Sequence, residues 1–426
     1  MTRLRFIEGV FAAILASGAC AADGASAYEA AVAADPGCAT GIFRPYPFPE
    51  VRDTPPPEGY RPFYVSHYGR HGCRHLRKES EFAAVDALKK ADGAGALSAC
   101  GKELLAKLSR IKAAHEGMLG ELAARGAREH RLVARRMYAR FPGVFSGGGR
   151  ARCQASTRSR CHMSMANFMC ELRGLAPELD FELATGERFM ATILNHPSGE
   201  ERPYDEIEAA KKRLLRAELD PKPFADRVFS NVDAAAVGDM HEFANGVFRL
   251  AAICRPLSAE LGGMLADDCF TADEWAALGR AMNGVGYMYM GGSTEFGDGM
   301  IAAAKPLAAD FARRADEAIA GSGIVADFRF GHDSGLWPFA CFLGLEGPGD
   351  RVPYSEVCAH ESLWRCMPKA ANIQIVFFRG RGGDVVAKVL YNEEETRVRG
   401  LEPVSGVFYR WPELKARLTG DGAAPQ

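Results

Sequence analysis

The chain has 426 residues, 47% of them hydrophobic and 25% charged, and a formal net charge of −2. A balance this close to neutral excludes a general nucleic-acid binder and a polybasic membrane protein, so any anion-binding role must rest on local clustering of charge. The length permits two or three domains, or one large domain carrying an insertion around a sizeable core.

The N-terminus reads as an export signal. Arg3 and Arg5 precede an apolar run from Phe6 to Ala16, broken only by Glu8, and small residues offer a cleavage site near Ala19-Cys20-Ala21. Residues 1–22 are therefore expected to be a signal peptide and the protein to be periplasmic or secreted. A lipid anchor at Cys20 is the alternative, although Leu15 lies too far upstream for that pattern. No run in the chain is long enough to span a bilayer. Twelve cysteines suit an oxidising compartment; without Cys20 eleven remain, which leaves at least one unpaired. Cys254/Cys269 and Cys358/Cys366 are close enough in sequence to close disulfide loops.

Residues 23 to about 60 are rich in Ala, Pro and Gly and read as an extended lead-in. A strand follows, Pro62-Phe63-Tyr64-Val65, and runs into Ser66-His67-Tyr68-Gly69-Arg70-His71-Gly72-Cys73-Arg74-His75. From Arg61 to Lys78 every formal charge is positive. A turn at a strand's end that presents Arg70, His71 and Arg74 within five residues is suited to a compact multivalent anion such as a phosphoryl group. His71 is the nucleophile or base placed between two permanent cations. His67, Cys73 and His75 alternate like metal ligands, so a metallohydrolase stays open at this point, though fixed positive charges repel a divalent cation.

Helical spacing follows at Leu104, Leu105, Leu108, Ile111, Leu119 and Leu122, then from Ala127 to Phe141, where Pro142-Gly143 is expected to end the helix. From His130 to Cys170 there is no acidic residue, yet there are eight arginines. The four on the Arg131–Arg140 helix read as a solvated face. Gly147 to Gly149 precede a short strand, and Ser156-Thr157-Arg158-Ser159-Arg160-Cys161 opens a helix that Ser156 or Thr157 is expected to cap. Its N-terminus and Arg160 favour a bound anion. Residues from about 180 to 300 read as mainly helical, with Lys211, Lys212 and Arg213 on a solvated face. Strand character returns at Gly323 to Phe330 and ends in Gly331-His332-Asp333-Ser334-Gly335, before a helix from Leu336 to Leu343. Strands at Asn372–Arg379 and Asp384–Tyr391 and a helix near Trp411–Leu418 complete the chain. Strand, polar loop, helix places side chains at the carboxyl ends of strands in an α/β sheet.

These parts suit phosphate-monoester cleavage. Arg70, Arg74 and Arg160 offer forks to the phosphoryl oxygens and His332 a further donor; His71 attacks phosphorus and Asp333 protonates the leaving alcohol. An aspartic acid donates best in acid, so an acidic optimum is expected, without a metal or other cofactor.

Arg70-His71-Gly72-Cys73-Arg74 matches the R-H-G-x-R signature of the histidine phosphatase superfamily, and Gly331-His332-Asp333 the distal H-D of its acid phosphatase and phytase branch. Ser156 to Cys161, Phe328 to His332 and Leu390-Tyr391-Asn392-Glu393 resemble the multiple inositol polyphosphate phosphatases and their bacterial relatives. The resemblance covers nearly everything from about residue 40 onward. It implies an α/β fold, a mixed central sheet flanked by helices, in residues 40–178 and 300–420, with a mainly helical subdomain inserted at 179–299 and the active site between them. It also implies His71 as nucleophile, Asp333 as acid, and Arg70, Arg74, Arg160 and His332 as phosphate ligands, with His75 and Arg158 as candidate specificity residues. Two departures stand out. Leu76 occupies a position where the branch often has proline, and Asp333 follows His332 directly where the inositol polyphosphate group usually reads H-A-E. The expected protein is a monomer acting on small phosphomonoesters: an inositol polyphosphate phosphatase, or a broad acid phosphatase. A phosphate-compound binding protein without turnover is the rival of another class.

Overall fold

The computed structural model describes residues 21–193 and 202–421; the signal-peptide and Cys20 readings lie outside them. The core of the fold is an eight-stranded mixed sheet in the order β3-β2-β4-β1-β5-β6-β7, with β8 also on β6. The strands are β1 (Arg61–Arg70), β2 (Gly149–Ala155), β3 (Leu179–Thr185), β4 (Ile324–Gly331), β5 (Asn372–Arg379), β6 (Val385–Tyr391), β7 (Glu394–Glu395) and β8 (Tyr409–Arg410). β1, β2, β3 and β4 run parallel, and β5 turns antiparallel against β1. β1 lies mid-sheet, and every residue from Tyr64 to Arg70 is buried, as a strand covered on both faces must be.

The helices that matter here are α1 (Ala21–Ala34), α2 (Ala83–Gly93), α3 (Ala99–Ala113), α4 (Ala124–Arg140), α5 (Ser159–Leu175), α6 (Tyr204–Glu218), α7 (Met240–Ala252), α8 (Ala272–Met290), α9 (Lys305–Ile319), α10 (Asp333–Leu343) and α11 (Trp411–Thr419). One face of the sheet carries α4 and α5. There Val133, Met137, Phe168 and Leu172 meet Val65, Cys153, Phe328 and Phe330. The other face carries α9, α10 and α11, whose Phe311, Phe339 and Leu414 join Tyr64, Tyr68 and Phe377 in a core continuous with the helical layer.

Four expectations change. The lead-in is not extended: α1 and a 3-10 helix at Pro36–Phe43 fill its first half, with Tyr28 and Val32, one helical turn apart, buried in the main core. The block from 179 opens with β3, an edge strand in register with β2, and α2 and α3, which precede that block, pack onto α7. Pro142 begins a further short helix, Pro142–Phe145, instead of only ending the one before. Every cysteine among the described residues is a free thiol, so neither Cys254/Cys269 nor Cys358/Cys366 is bridged. Cys254, just past the end of α7, instead turns back toward the Leu250 carbonyl, 3.8 Å away. Among the described residues no helix is long and apolar enough to cross a membrane.

Candidate active site

Register brings the site together. Arg70 at the end of β1 lies opposite Gly331 at the end of β4, and Ala155 at the end of β2 lies opposite Phe330. The segments beginning at His71, Ser156 and His332 therefore leave the sheet at one carboxyl edge, beside the junction where the parallel half meets antiparallel β5. Gly69 pairs with Asn372, so the loop leading into β5 arrives at that edge as well.

The loop that carries His71 is held on every side. His71 donates its backbone N–H to the Gly331 carbonyl (3.0 Å), and its own carbonyl accepts from Ala370 N (3.1 Å). Gly72 is required by a close approach: a Cβ there would stand 2.6 Å from the carbonyl oxygen of Gly126 in α4, while a Cβ on Gly126 would stand 2.2 Å from the Cys73 oxygen. The buried Glu129 carboxylate accepts from Cys73 N at 2.8 Å and from Tyr46 N at 3.0 Å.

His71 Nδ1 sits 2.9 Å from the Gly72 carbonyl. An acceptor there fixes the proton on Nδ1 in the neutral ring and leaves the Nε2 lone pair free. Burial, reinforced by Lys369, Arg160, Arg74 and Arg70, holds the imidazole well below the usual histidine range, so the ring is neutral even in mild acid. His332 stands edge-on to it with ring centroids 5.5 Å apart, and its Nε2 pairs with Ser156 Oγ at 2.9 Å. Burial above all, helped by Arg160, brings His332 down to about 3.

Asp333 begins α10 and accepts from Arg70 Nη2 at 2.6 Å. Burial opposes its charge, but Arg70, Lys369, His332 and Arg74 prevail and hold the carboxyl well below the usual carboxylate range. Arg70 is fully buried and gives its other fork nitrogen to the carbonyls of Met367 and Pro368 at 2.7 and 3.1 Å. It supports the site from beneath and does not face the open cleft. Arg74 and Arg160 do face it, with burial pressing on both guanidinium groups.

The cleft encloses about 530 Å³, and His71, His332 and Asp333 lie on its wall. Seven cations line it, Arg74, Arg77, Arg158, Arg160, Arg202, Lys211 and Arg249, against two carboxylates, Glu208 and Asp333. The helical layer supplies Arg202, Lys211 and Arg249, across from the sheet edge.

Of the residues singled out from sequence, the structure gathers His71, Arg74, Arg158, Arg160, His332 and Asp333 at the cleft and puts Arg70 directly behind them. His75 is elsewhere: fully buried and not among the residues lining the cleft, it packs edge-on against His115 at 5.0 Å. The alternating ligand pattern also disperses. His67 stacks on Phe168, Cys73 turns to Glu129 and His75 to His115. The cap of α5 is Arg158, without a side-chain bond, because Ser156 is engaged with His332. Lys211 lines the cleft while Lys212 and Arg213 stay exposed, so the expected solvated face does not extend to the first residue of that basic run. The α4 arginines are paired: Arg131 with Asn167, Arg135 with Glu171, Arg136 with Glu393 and Arg140 with Asp53. Glu129 and Lys369 were not legible, since each belongs to a segment that only tertiary pairing brings to the loop.

No protein-family model and no curated protein matches the chain. Solved structures do. The Bifidobacterium longum multiple inositol polyphosphate phosphatase in complex with inositol hexasulfate superimposes with a TM-score of 0.78, at 21% identity over 91% of this chain and 98% of that one. The chain shares the fold of that protein. The phytase from D. castellii gives a TM-score of 0.65, at 12% identity over 90% of this chain and 85% of its own. Hafnia alvei phytase in complex with myo-inositol hexakis sulphate gives 0.52, at 12% identity over 87% and 100%. In this chain the phosphatase fold keeps its strand ends together over a cleft whose lining is mostly cationic.

Proposed function

We propose that the protein is an exported phosphomonoesterase that hydrolyses inositol polyphosphates of the phytate type through a phosphohistidine on His71, with Asp333 as general acid. The observation that carries the reading is the orientation of His71: Nδ1 is held by the Gly72 carbonyl, and the free Nε2 edge shares the cleft with Arg74, Arg160, His332 and Asp333.

The chemistry balances with these groups. A phosphoryl group bound by Arg74, Arg160 and His332 has its charge neutralised. His71 Nε2 forms a bond to phosphorus as the ester P–O bond breaks, and the departing alkoxide takes the proton of Asp333. Water then attacks the phosphohistidine and gives a proton back to Asp333, releasing inorganic phosphate and freeing His71. With the site empty Asp333 is ionised, so its proton must arrive with the substrate. A phosphate monoester has its second pKa near ~6 and can bring that proton as the monoanion. Phosphoryl charge also offsets the pull of Arg70 on Asp333. Both effects place the optimum in acid.

The preference for several phosphates rests on cations beyond those near His71. Arg77, Arg158, Arg202, Lys211 and Arg249 are more than one phosphoryl group can use, and the helical block 179–299 is read as the inserted unit that supplies three of them. A broad acid phosphatase remains the second reading, favoured by the direct His332-Asp333 pairing. Phosphate release from phytate and p-nitrophenyl phosphate in parallel, in the presence of a chelator, separates the readings. Turnover of phytate by wild type and none by His71→Ala is expected. Binding without turnover by the wild type would leave a mere phosphate-binding protein.

A further inference from the structure

Lys369 has a place in this site that the chemistry above does not use. It is fully buried, and its ammonium has no hydrogen-bond partner among the described residues. A buried ammonium without a partner is strongly disfavoured, and proteins normally supply a counter-charge. The contact its Nζ does make is with the ring of Phe43, 5.4 Å to the centroid, and Phe43 itself lines the cleft. One aromatic face does not replace a hydration shell.

The lysine is also held firmly. Its backbone N–H donates to the Arg44 carbonyl at 2.7 Å, and the next residue, Ala370, takes a left-handed φ of 56° while donating to the His71 carbonyl. Tyr391 and Asn392, from the Leu390-Tyr391-Asn392-Glu393 segment, both donate to the Cys366 carbonyl at 3.0 and 2.9 Å and fix the same loop. A non-glycine residue in the left-handed region, braced from two sides, is the kind of local strain that a rigid site maintains. The charged and titratable groups that act on Lys369 are Arg70, Arg74 and Cys73 of the nucleophile loop and Asp333 at the start of α10. Lys369 in turn acts on both His71 and Asp333.

We propose that Lys369 is a positioning residue of the phosphoryl site: a buried cation behind the His71 loop, hydrogen-bonded to no side chain among the described residues, whose partner is the phosphoryl group itself. The inference rests on the phosphatase reading and extends it. Burial, with Arg70 and Arg74 close by, holds Lys369 well below the usual lysine range, and the negative charge of a bound phosphoryl group acts in the opposite direction, favouring the ammonium.

The signs follow from the charge. Removing it lets His71 and Asp333 each hold a proton to higher pH, so the acidic limb (neutral His71 required) and the alkaline limb (protonated Asp333 required) both move upward. The experiment compares wild type with K369M, K369Q and K369R in pH-activity profiles and in calorimetric titration with inorganic phosphate. K369M and K369Q are expected to shift both limbs up by about one pH unit and to weaken phosphate binding about tenfold, while K369R restores both. Neutral variants that lose activity evenly at every pH, with limbs and phosphate affinity unmoved, overturn the proposal. So does failure of both neutral variants to fold, because a positioning charge is dispensable for folding. A wild type that binds phosphate but turns nothing over defeats the phosphatase reading instead, and the phosphate titration still decides the role of Lys369.

Discussion

The Arg70 guanidinium and the Asp333 carboxylate meet at 2.6 Å where β1 and β4 end side by side. The pair joins the first half of the site to the second and keeps Asp333 ionised in the empty cleft. Asp333→Asn should therefore lower kcat on a poor leaving group such as an inositol phosphate by about 10²- to 10⁴-fold. p-Nitrophenyl phosphate, whose phenolate leaves without a proton, should lose far less. Equal losses on both substrates would remove Asp333 from the role of acid.

The same pair has a stability consequence. A carboxyl whose folded pKa is depressed contributes stability that is fully present above its unfolded value, about 3.9, and is lost as the pH falls toward the folded one. Thermal midpoints of the wild type should decline as pH drops below about 4, and Asp333→Asn should flatten that part of the curve.

The cleft cations away from His71 should separate substrates. Arg158→Ala and Lys211→Met are each expected to raise KM for phytate about three- to tenfold, more at low salt, and to leave p-nitrophenyl phosphate nearly unchanged. Steady-state kinetics at two ionic strengths on both substrates is the check.

Gly126 tests how the His71 loop is seated. Gly126→Ala puts a methyl group into the Cys73 backbone and should destabilise the protein by about 1–3 kcal/mol or more, with loss of activity. Gly174→Ala, near the end of α5 with open space around it, should instead be neutral or stabilise by up to about 1 kcal/mol. Denaturant titration of the two variants side by side makes the comparison.

Much of this was legible in the sequence wherever chemistry and chain direction coincide. β5 begins and ends where its β-branched and aromatic run does, and the loops after β1 and β4 carry the candidate residues directly at the strand ends. Composition misled at the lead-in. The Ala-rich stretch was read as extended, yet alanine is a strong helix former, and Tyr28 and Val32 gave α1 a buried stripe. His75 stood next to Arg74 in sequence, but its backbone N–H donates to the Glu121 carbonyl and its ring turns inward to His115. Lys369 could not be found by proximity to a motif, because antiparallel pairing of β5 with β1 brings its loop to His71 across some three hundred residues of chain.

The central claim is that phosphorus becomes bonded to His71. Rapid acid-free quenching of the protein during turnover of labelled phytate, followed by peptide mapping under alkaline conditions, reads this directly. The expected result is an acid-labile, base-stable label on the peptide containing His71, absent from His71→Ala. Turnover with no label on that residue, or undiminished phosphate release by His71→Ala, would contradict it.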